Sequence, residues 1–299
     1  PQAMWKLLRW RPDVVYTTGG YVAIPVLAAA ALLRIPTLLW EGNRIPGRSV
    51  RLSARLATLR TVSYAATVDR LPAPTFVTGT PIRDLGSVET SAARARLGLT
   101  ADVPVLLGFG GSQAVKRLSD AVREALPDVV ARCYVLHITG ESAIDEAEAL
   151  RASLPPEHQD RYRPYAFLQE DMDAALSAAD LLVGRAGSST LAEAAAAGLP
   201  MIVVPYPHAA AHQKANAAEM VEAGAADLVD DEDLDGDTLR AACDLLFDQR
   251  LAAMSGAALS VARPGAAAAS AHLLEILAAR EPLPSQDELD ELTRAASTK

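Results

Sequence analysis

Short apolar runs that end in a glycine-containing turn and lead into a long Ala/Leu-rich segment recur along the chain. That rhythm of buried strand, tight turn and helix builds a parallel sheet covered by helices, so the expected class is α/β. Strand candidates cover residues 14–16, 37–40, 66–68, 75–78, 103–108, 132–139, 181–184 and 201–205. Helix candidates cover 26–33, 49–57, 91–97, 116–126, 141–153, 172–179, 189–197 and 212–223. Two sets of such units flank Gly79-Thr80-Pro81-Ile82-Arg83, which puts a domain boundary near residue 80. The second set has enough strands for a doubly wound sheet. The first has too few, so the beginning of the first domain is expected to be missing. From Pro282 the chain turns polar and reads as a capped helix or a frayed tail.

With 299 residues, half of them apolar, the chain can bury a substantial core, and its length suggests about two domains. Its longest apolar stretch, 21–33, falls short of the roughly 20 residues that span a bilayer, and no transmembrane helix is expected. Pro1-Gln2-Ala3-Met4-Trp5 carries no secretory pattern, which points to the cytosol. Cys133 and Cys243 lie too far apart in sequence for a metal-ligand spacing and make no disulfide framework, so both read as buried thiols. The net charge of -9 hides an asymmetry: residues 1–84 hold 11 Lys/Arg against 4 Asp/Glu, and the remainder is strongly acidic. Trp5, Leu7, Leu8 and Trp10 among Lys6, Arg9 and Arg11 fit an anionic membrane surface or a polyanionic acceptor, and equally a solvated surface with Trp5 and Trp10 packed inside. No nucleic-acid motif is present.

Three glycine-rich junctions carry candidate chemistry. Gly184-Arg185-Ala186-Gly187-Ser188-Ser189-Thr190 follows an apolar strand and opens a helix, where bare backbone N–H groups suit a diphosphate. Glu193, a turn and a half further on, is placed to accept hydrogen bonds from a ribose diol, or it is simply solvated. Gly108-Phe109-Gly110-Gly111-Ser112-Gln113 is a second such junction without dinucleotide or P-loop spacing. Ser112 there could donate to a β-phosphate; a plain glycine turn is the alternative. The third is Pro205-Tyr206-Pro207-His208, followed by His212-Gln213 at a helix start, whose donors suit sugar hydroxyls. A His208/His212 zinc pair lacks a third ligand nearby. In the first half, Thr18-Gly19-Gly20-Tyr21 and Trp40-Glu41-Gly42-Asn43 end strands, where ligands gather in doubly wound folds or where side chains merely hold turns. Asp230-Asp231-Glu232-Asp233 reads as a solvated face or an N-cap.

Taken in order, Gly19-Gly20-Tyr21, Glu41-Gly42-Asn43, Gly79-Thr80-Pro81-Ile82-Arg83, Gly110-Gly111-Ser112-Gln113, Arg185-Ala186-Gly187 through Glu193, and His212-Gln213 with Asn216-Ala217 resemble the MurG family over residues 11–280. The resemblance implies a GT-B fold, two Rossmann-like domains facing across a cleft. Residues 1–79 would be the C-terminal part of the acceptor-binding domain, 80–265 the donor-binding domain, 266–281 a helix returning to the first domain and 282–299 a polar tail. It implies an inverting hexosyltransferase that moves N-acetylglucosamine from UDP-N-acetylglucosamine to lipid I, giving lipid II for peptidoglycan, with no cofactor and no metal. The enzyme would be cytoplasmic, peripheral on the inner face of the bacterial cell membrane, with no nucleic-acid partner.

Carried over by resemblance, Arg83, Phe167 and Leu168 lie near uridine, and Glu193 holds the ribose. Gly111, Ser112, Gln113, Gly187 and Ser188 face the diphosphate, and His212 and Gln213 face the sugar. Gly19, Gly20, Tyr21, Glu41 and Asn43 would meet the acceptor. The family's general-base histidine belongs to an earlier glycine-rich loop that this sequence does not contain, so no base is assigned. The usual His-Glu-Gln-Asn turn stands here as Trp40-Glu41-Gly42-Asn43, and Ala211 precedes the His-Gln pair. Those departures keep open another lipid-linked acceptor and a non-catalytic UDP-sugar-binding paralogue or subunit. A UDP-N-acetylglucosamine 2-epimerase would need acid/base residues that the sequence does not display.

Overall fold

Seven of the eight apolar runs expected as strands become strands of one of two parallel sheets. The computed structural model describes residues 1–85, 88–110, 115–207 and 210–294. Internal contacts divide the chain into two units, Pro1–Ile82 with Arg263–Lys299, and Arg83–Ala262.

In the first unit β1 (Val15–Thr17), β2 (Thr37–Glu41), β3 (Leu59–Val62) and β4 (Thr75–Val77) form a parallel sheet in that order. β3 escapes an apolar-run search because Arg60 sits in its middle. The guanidinium is buried and donates to the carbonyls of Ala54, Ala57 and Pro74, so the charged group enters the core with its hydrogen bonds made. The strand expected at 66–68 is a 3-10 turn instead, Ala65–Arg70, whose Thr67 hydroxyl donates to the Arg44 carbonyl at 2.9 Å. Helix Gln2–Trp10 buries Leu7 against Ala29 and Ala30 of helix Ala23–Leu33. Trp5, Leu8 and Trp10 are left exposed, which corrects the reading with both tryptophans packed inside.

Helix Ala266–Ala279 covers the sheet through Leu273 and Leu277, packed with Leu38 and Leu59. Of the two readings of the segment from 282 onward, a capped helix or a frayed tail, the structure has the helix: Gln286–Arg294 buries Leu289 in the same cluster. Its start is a reciprocal cap, the Ser285 N–H donating to Glu288 and the Glu288 N–H to Ser285 Oγ. Gln286 then bonds both backbone groups of Val77, extending the edge of β4 as a strand neighbour would. The polar composition hid this because few apolar residues do the docking: Leu289 and Leu292 meet the cluster, while Gln286, Asp290 and Thr293 dock through hydrogen bonds.

The second unit holds six parallel strands: β5 (Val105–Phe109), β6 (Tyr134–Ile138), β7 (Tyr162–Tyr165), β8 (Leu181–Gly184), β9 (Met201–Val203) and β10 (Ala226–Leu228). Their spatial order is β10-β9-β8-β5-β6-β7, that of a Rossmann-type sheet. The two edge strands are those the apolar pattern misses. β7 carries Arg163 and Pro164, which an edge tolerates, and β10 is three residues with Asp227 at its centre. No helix among the described residues is long and apolar enough to cross a membrane.

One polar chain runs through this core. His137 of β6 is buried, with Nδ1 2.9 Å from the Tyr162 hydroxyl and Nε2 3.3 Å from Ser119 Oγ; Arg123 and Glu146 also line the small cavity there. Burial lowers the His137 pKa from 6.5 to about 4. Between those values the unfolded chain binds the proton that the folded one refuses, so stability is held above pH 6.5 and lost as pH falls toward 4. Urea unfolding at pH 7 and pH 5 should therefore show about 2 kcal/mol more acid loss in the native chain than in His137→Gln. Equal losses would show that His137 is not held neutral.

Candidate functional site

The order of strands in the second sheet reverses between β5 and β8, and at such a point two neighbouring loops leave the sheet in opposite directions and open a crevice. Phe109 is paired with Gly184 at the C-terminal ends of these strands. A Cβ on Gly184 would stand 2.8 Å from the Phe109 carbonyl oxygen, so glycine lets the two ends close to normal sheet spacing. β8 then runs through Arg185-Ala186-Gly187 into helix Ser188–Ala196.

Gly187 is different in kind. It is the N-cap, its φ of −68° suits any residue, and a Cβ would make only ordinary contact with Thr190 Oγ1 at 3.6 Å. Nothing inside the fold requires a glycine. What its missing side chain provides is open access to the unpaired N–H groups of the helix start, where the helix dipole is positive.

A pocket of about 510 Å³ lies beside this junction, lined by Arg83, Phe109, Thr139, Glu141, Phe167, Leu168, Met172 and Glu193, among others. Its size suits a nucleotide-sized ligand. Two of its walls are tied together: the Thr139 and Gly140 N–H groups donate to the carbonyls of Tyr165 and Ala166, and Thr139 Oγ1 also reaches Tyr165. Phe167 is 54% exposed, an aromatic face held at the rim rather than packed. Glu193 meets the Nε of Arg83 at 3.1 Å. Arg83 is half exposed, so the pair is weak enough for a ligand to replace.

The loop after β8 is braced from below. Arg185 is buried, donates to the Asp231 carboxylate and to the Val204 carbonyl, and places its guanidinium 5.6 Å from the Tyr206 ring. Asp231 also pairs with Arg117 at 3.2 Å. The acidic stretch read as a solvated face or cap thus contains the counter-charge of a glycine-loop residue, across 46 positions that no sequence spacing links. Gln213, on helix Ala210–Glu222, accepts from the Tyr206 N–H at 2.7 Å; its amide NH2 is the end able to donate to a hydroxyl, and His212 beside it is exposed. Gly111, Ser112, Gln113 and His208 lie outside the described residues.

In the first unit, the residues expected to meet an acceptor separate into two groups. Glu41 is 3% exposed, and both its oxygens hold the following loop, Oε1 accepting from the N–H and Nδ2 of Asn43 and Oε2 from the N–H of Gly47. Its carboxylate is spent on the turn, and this corrects the expectation that it faces a ligand. Trp40 Nε1 likewise donates to the Gly79 carbonyl at 3.0 Å. Gly19, at φ +80°, has no room for a Cβ, which would sit 2.6 Å from Val50 Cγ2. Gly20 also has positive φ but open space around it, and Tyr21 is 73% exposed. Gly20 and Tyr21 are thus exposed, whereas Asn43 is part-buried with its N–H and Nδ2 on Glu41.

Two family models match the chain: the glycosyltransferase family 28 C-terminal domain over residues 105–271 and the family 28 N-terminal domain over residues 2–60. A UDP-N-acetylglucosamine–N-acetylmuramyl-(pentapeptide) pyrophosphoryl-undecaprenol N-acetylglucosamine transferase of Frankia casuarinae is 40% identical over 279 residues, 90% of this chain and 72% of that protein. The protein of the same name from Moorella thermoacetica is 38% identical over 278 residues, 89% of this chain and 74% of its own length. Among solved structures, Acinetobacter baumannii MurG superposes with a TM-score of 0.70 at 30% identity, covering 91% of this chain and 77% of that one.

The brace under the β8 loop has a measurable cost of removal. Asp231→Ala leaves the Arg185 guanidinium buried without its carboxylate, and urea unfolding should show a loss of about 3 kcal/mol. A loss below about 1 kcal/mol would mean that the carbonyls of Val204 and Pro205 suffice to hold Arg185.

Proposed function

This chain belongs to glycosyltransferase family 28, and we propose that it moves N-acetylglucosamine from UDP-N-acetylglucosamine to the muramyl sugar of a lipid-linked pentapeptide precursor. The observation that carries this reading is the pocket beside the β5/β8 reversal, where Glu193 and the bare helix start at Gly187 lie on one element. A uridine diphosphate needs an aromatic or apolar wall for the base, a carboxylate for the ribose and backbone donors for the phosphates, and this corner has all three.

In this reading the second unit is the donor domain. The uracil lies against Phe167 and Leu168 near Arg83. Glu193 exchanges its bond to Arg83 for the ribose hydroxyls. The diphosphate rests on the N–H groups at Gly187 and Ser188, with Gly111, Ser112 and Gln113 on its other side. His212 and Gln213 hold the sugar.

Transfer is a single displacement. The acceptor hydroxyl attacks the anomeric carbon as the bond to the UDP oxygen breaks, with inversion, and the negative charge growing on the departing diphosphate is met by the helix start. The hydroxyl proton passes to a base that is not assigned among the described residues.

The first unit is the proposed acceptor side, through Gly20, Tyr21 and Asn43, with Glu41 fixing the loop that presents Asn43. Helix Gln2–Trp10 exposes Trp5, Leu8 and Trp10 beside Lys6 and Arg9, the combination that holds a helix at an anionic interface. It supports peripheral attachment to the inner face of the cell membrane, where a lipid-linked acceptor would be met.

Glu193→Ala should lower kcat/KM for N-acetylglucosamine transfer to a lipid-linked muramyl acceptor by about 100-fold, the worth of two charged hydrogen bonds. A change under about threefold would remove Glu193 from the donor site. UDP-N-acetylmannosamine formed without acceptor would instead mark an epimerase. In sedimentation with vesicles rich in anionic lipid, Trp5→Glu/Trp10→Glu should bind about tenfold more weakly than the native chain. Equal binding would place the membrane contact elsewhere.

A further inference from the structure

The only two cysteines of the chain, 110 positions apart, meet in the core of the second unit with their sulfurs 3.9 Å apart. Cys133 lies just before β6, and its thiol also reaches the Val129 carbonyl at 3.5 Å. Cys243 lies on helix Gly236–Leu245, which packs on helix Val115–Val129, and both cysteines belong to the buried apolar cluster that also holds Val129, Leu239, Ala242 and Leu246. We propose that Cys133 and Cys243 are a redox couple that closes into a disulfide under a small hydroperoxide and pins helix Gly236–Leu245 to the base of β6.

A disulfide needs its sulfurs at about 2.05 Å, so closure asks for about 2 Å of approach, within reach of side-chain rotation and a small helix shift. The pair is polarised. The contact with Cys243 and burial push the Cys133 thiol up, while the contact with Cys133 and, against burial, the Arg132 guanidinium draw Cys243 down. The Cys133 thiol donates to the Val129 carbonyl and keeps its proton there, so Cys243, which adjoins the surface pair of Arg132 and Asp244, is the attacking sulfur and Cys133 the resolving one.

Cys243 thiolate attacks one peroxide oxygen, and the O–O bond breaks, leaving a sulfenic acid on Cys243 and, after protonation, one water. The Cys133 sulfur then attacks the sulfenic sulfur. The S–S bond forms and the sulfenic oxygen leaves as a second water, carrying the Cys133 proton. Two electrons from the two thiols reduce one hydroperoxide.

Both cysteines are buried, so the oxidant enters through a local opening. The surface above them offers one. Arg132 bonds Asp244 at 2.5 Å and lies 4.8 Å from the Phe247 ring, and all three are substantially exposed. Surface contacts of this kind open at little cost.

The test treats the full chain with hydrogen peroxide, alkylates remaining thiols after unfolding, and maps the peptides by mass. The expected result is a Cys133–Cys243 linked peptide with two hydrogens lost, and a melting temperature raised on the order of 10 °C, reversed by dithiothreitol. In Cys133→Ala the reaction should stop at a Cys243 sulfenic acid captured by dimedone, with no rise in melting temperature. Two free thiols after treatment, sulfinic acids without a link, or a link that leaves the melting temperature unchanged would each overturn the proposal. None of these readouts depends on transfer activity.

Discussion

The close approach of β5 and β8 at Phe109 and Gly184 is the constraint on which the second unit depends. A side chain at 184 would meet the Phe109 carbonyl inside van der Waals distance, and the strands on either side of the reversal could not share one sheet. With the strands together, β8 leads through Arg185-Ala186-Gly187 into helix Ser188–Ala196 at the edge where β5 also ends. A concave, polar, positively biased corner follows from sheet topology before any individual side chain is chosen. Glu193 and Arg83 then furnish that corner with a carboxylate and a guanidinium, paired at 3.1 Å.

The loop that turns that corner is held by charge rather than by apolar packing alone. Arg185 is placed under it, where an unpaired guanidinium would be expensive, and Asp231 arrives from beyond β10 to meet it. The first unit uses the same device with the sign reversed: the buried carboxylate of Glu41 collects the N–H groups of the turn that follows β2. In both places a conspicuous charged residue next to a glycine motif holds the loop in position.

Sequence reading is successful where local pattern and tertiary role coincide. The apolar runs of β2, β5, β8 and β9 are buried on both faces and are visible as such, and the family 28 assignment rests on glycine motifs whose order survives in the fold. It fails where a strand is made by its neighbours. β3 contains Arg60, whose cost is met by three carbonyls from other segments, and β7 contains Pro164, tolerated at the edge of the sheet, where no strand among the described residues pairs beyond it. Arg185 with Asp231, and Cys133 with Cys243, were equally illegible, since each pair joins residues that no local period connects. Glu41 was visible as a residue of interest but not in its role, because burial decides between holding a turn and meeting a ligand.

The reading of the second unit as a UDP-sugar donor domain turns on whether Glu193 holds a ribose diol. Calorimetry of UDP and 2′-deoxy-UDP with the native chain and with Glu193→Ala tests this as a double-mutant cycle. Removing the 2′-hydroxyl should weaken binding to the native chain about tenfold and leave binding to Glu193→Ala unchanged. An equal loss in both proteins, or none in the native chain, would contradict the account.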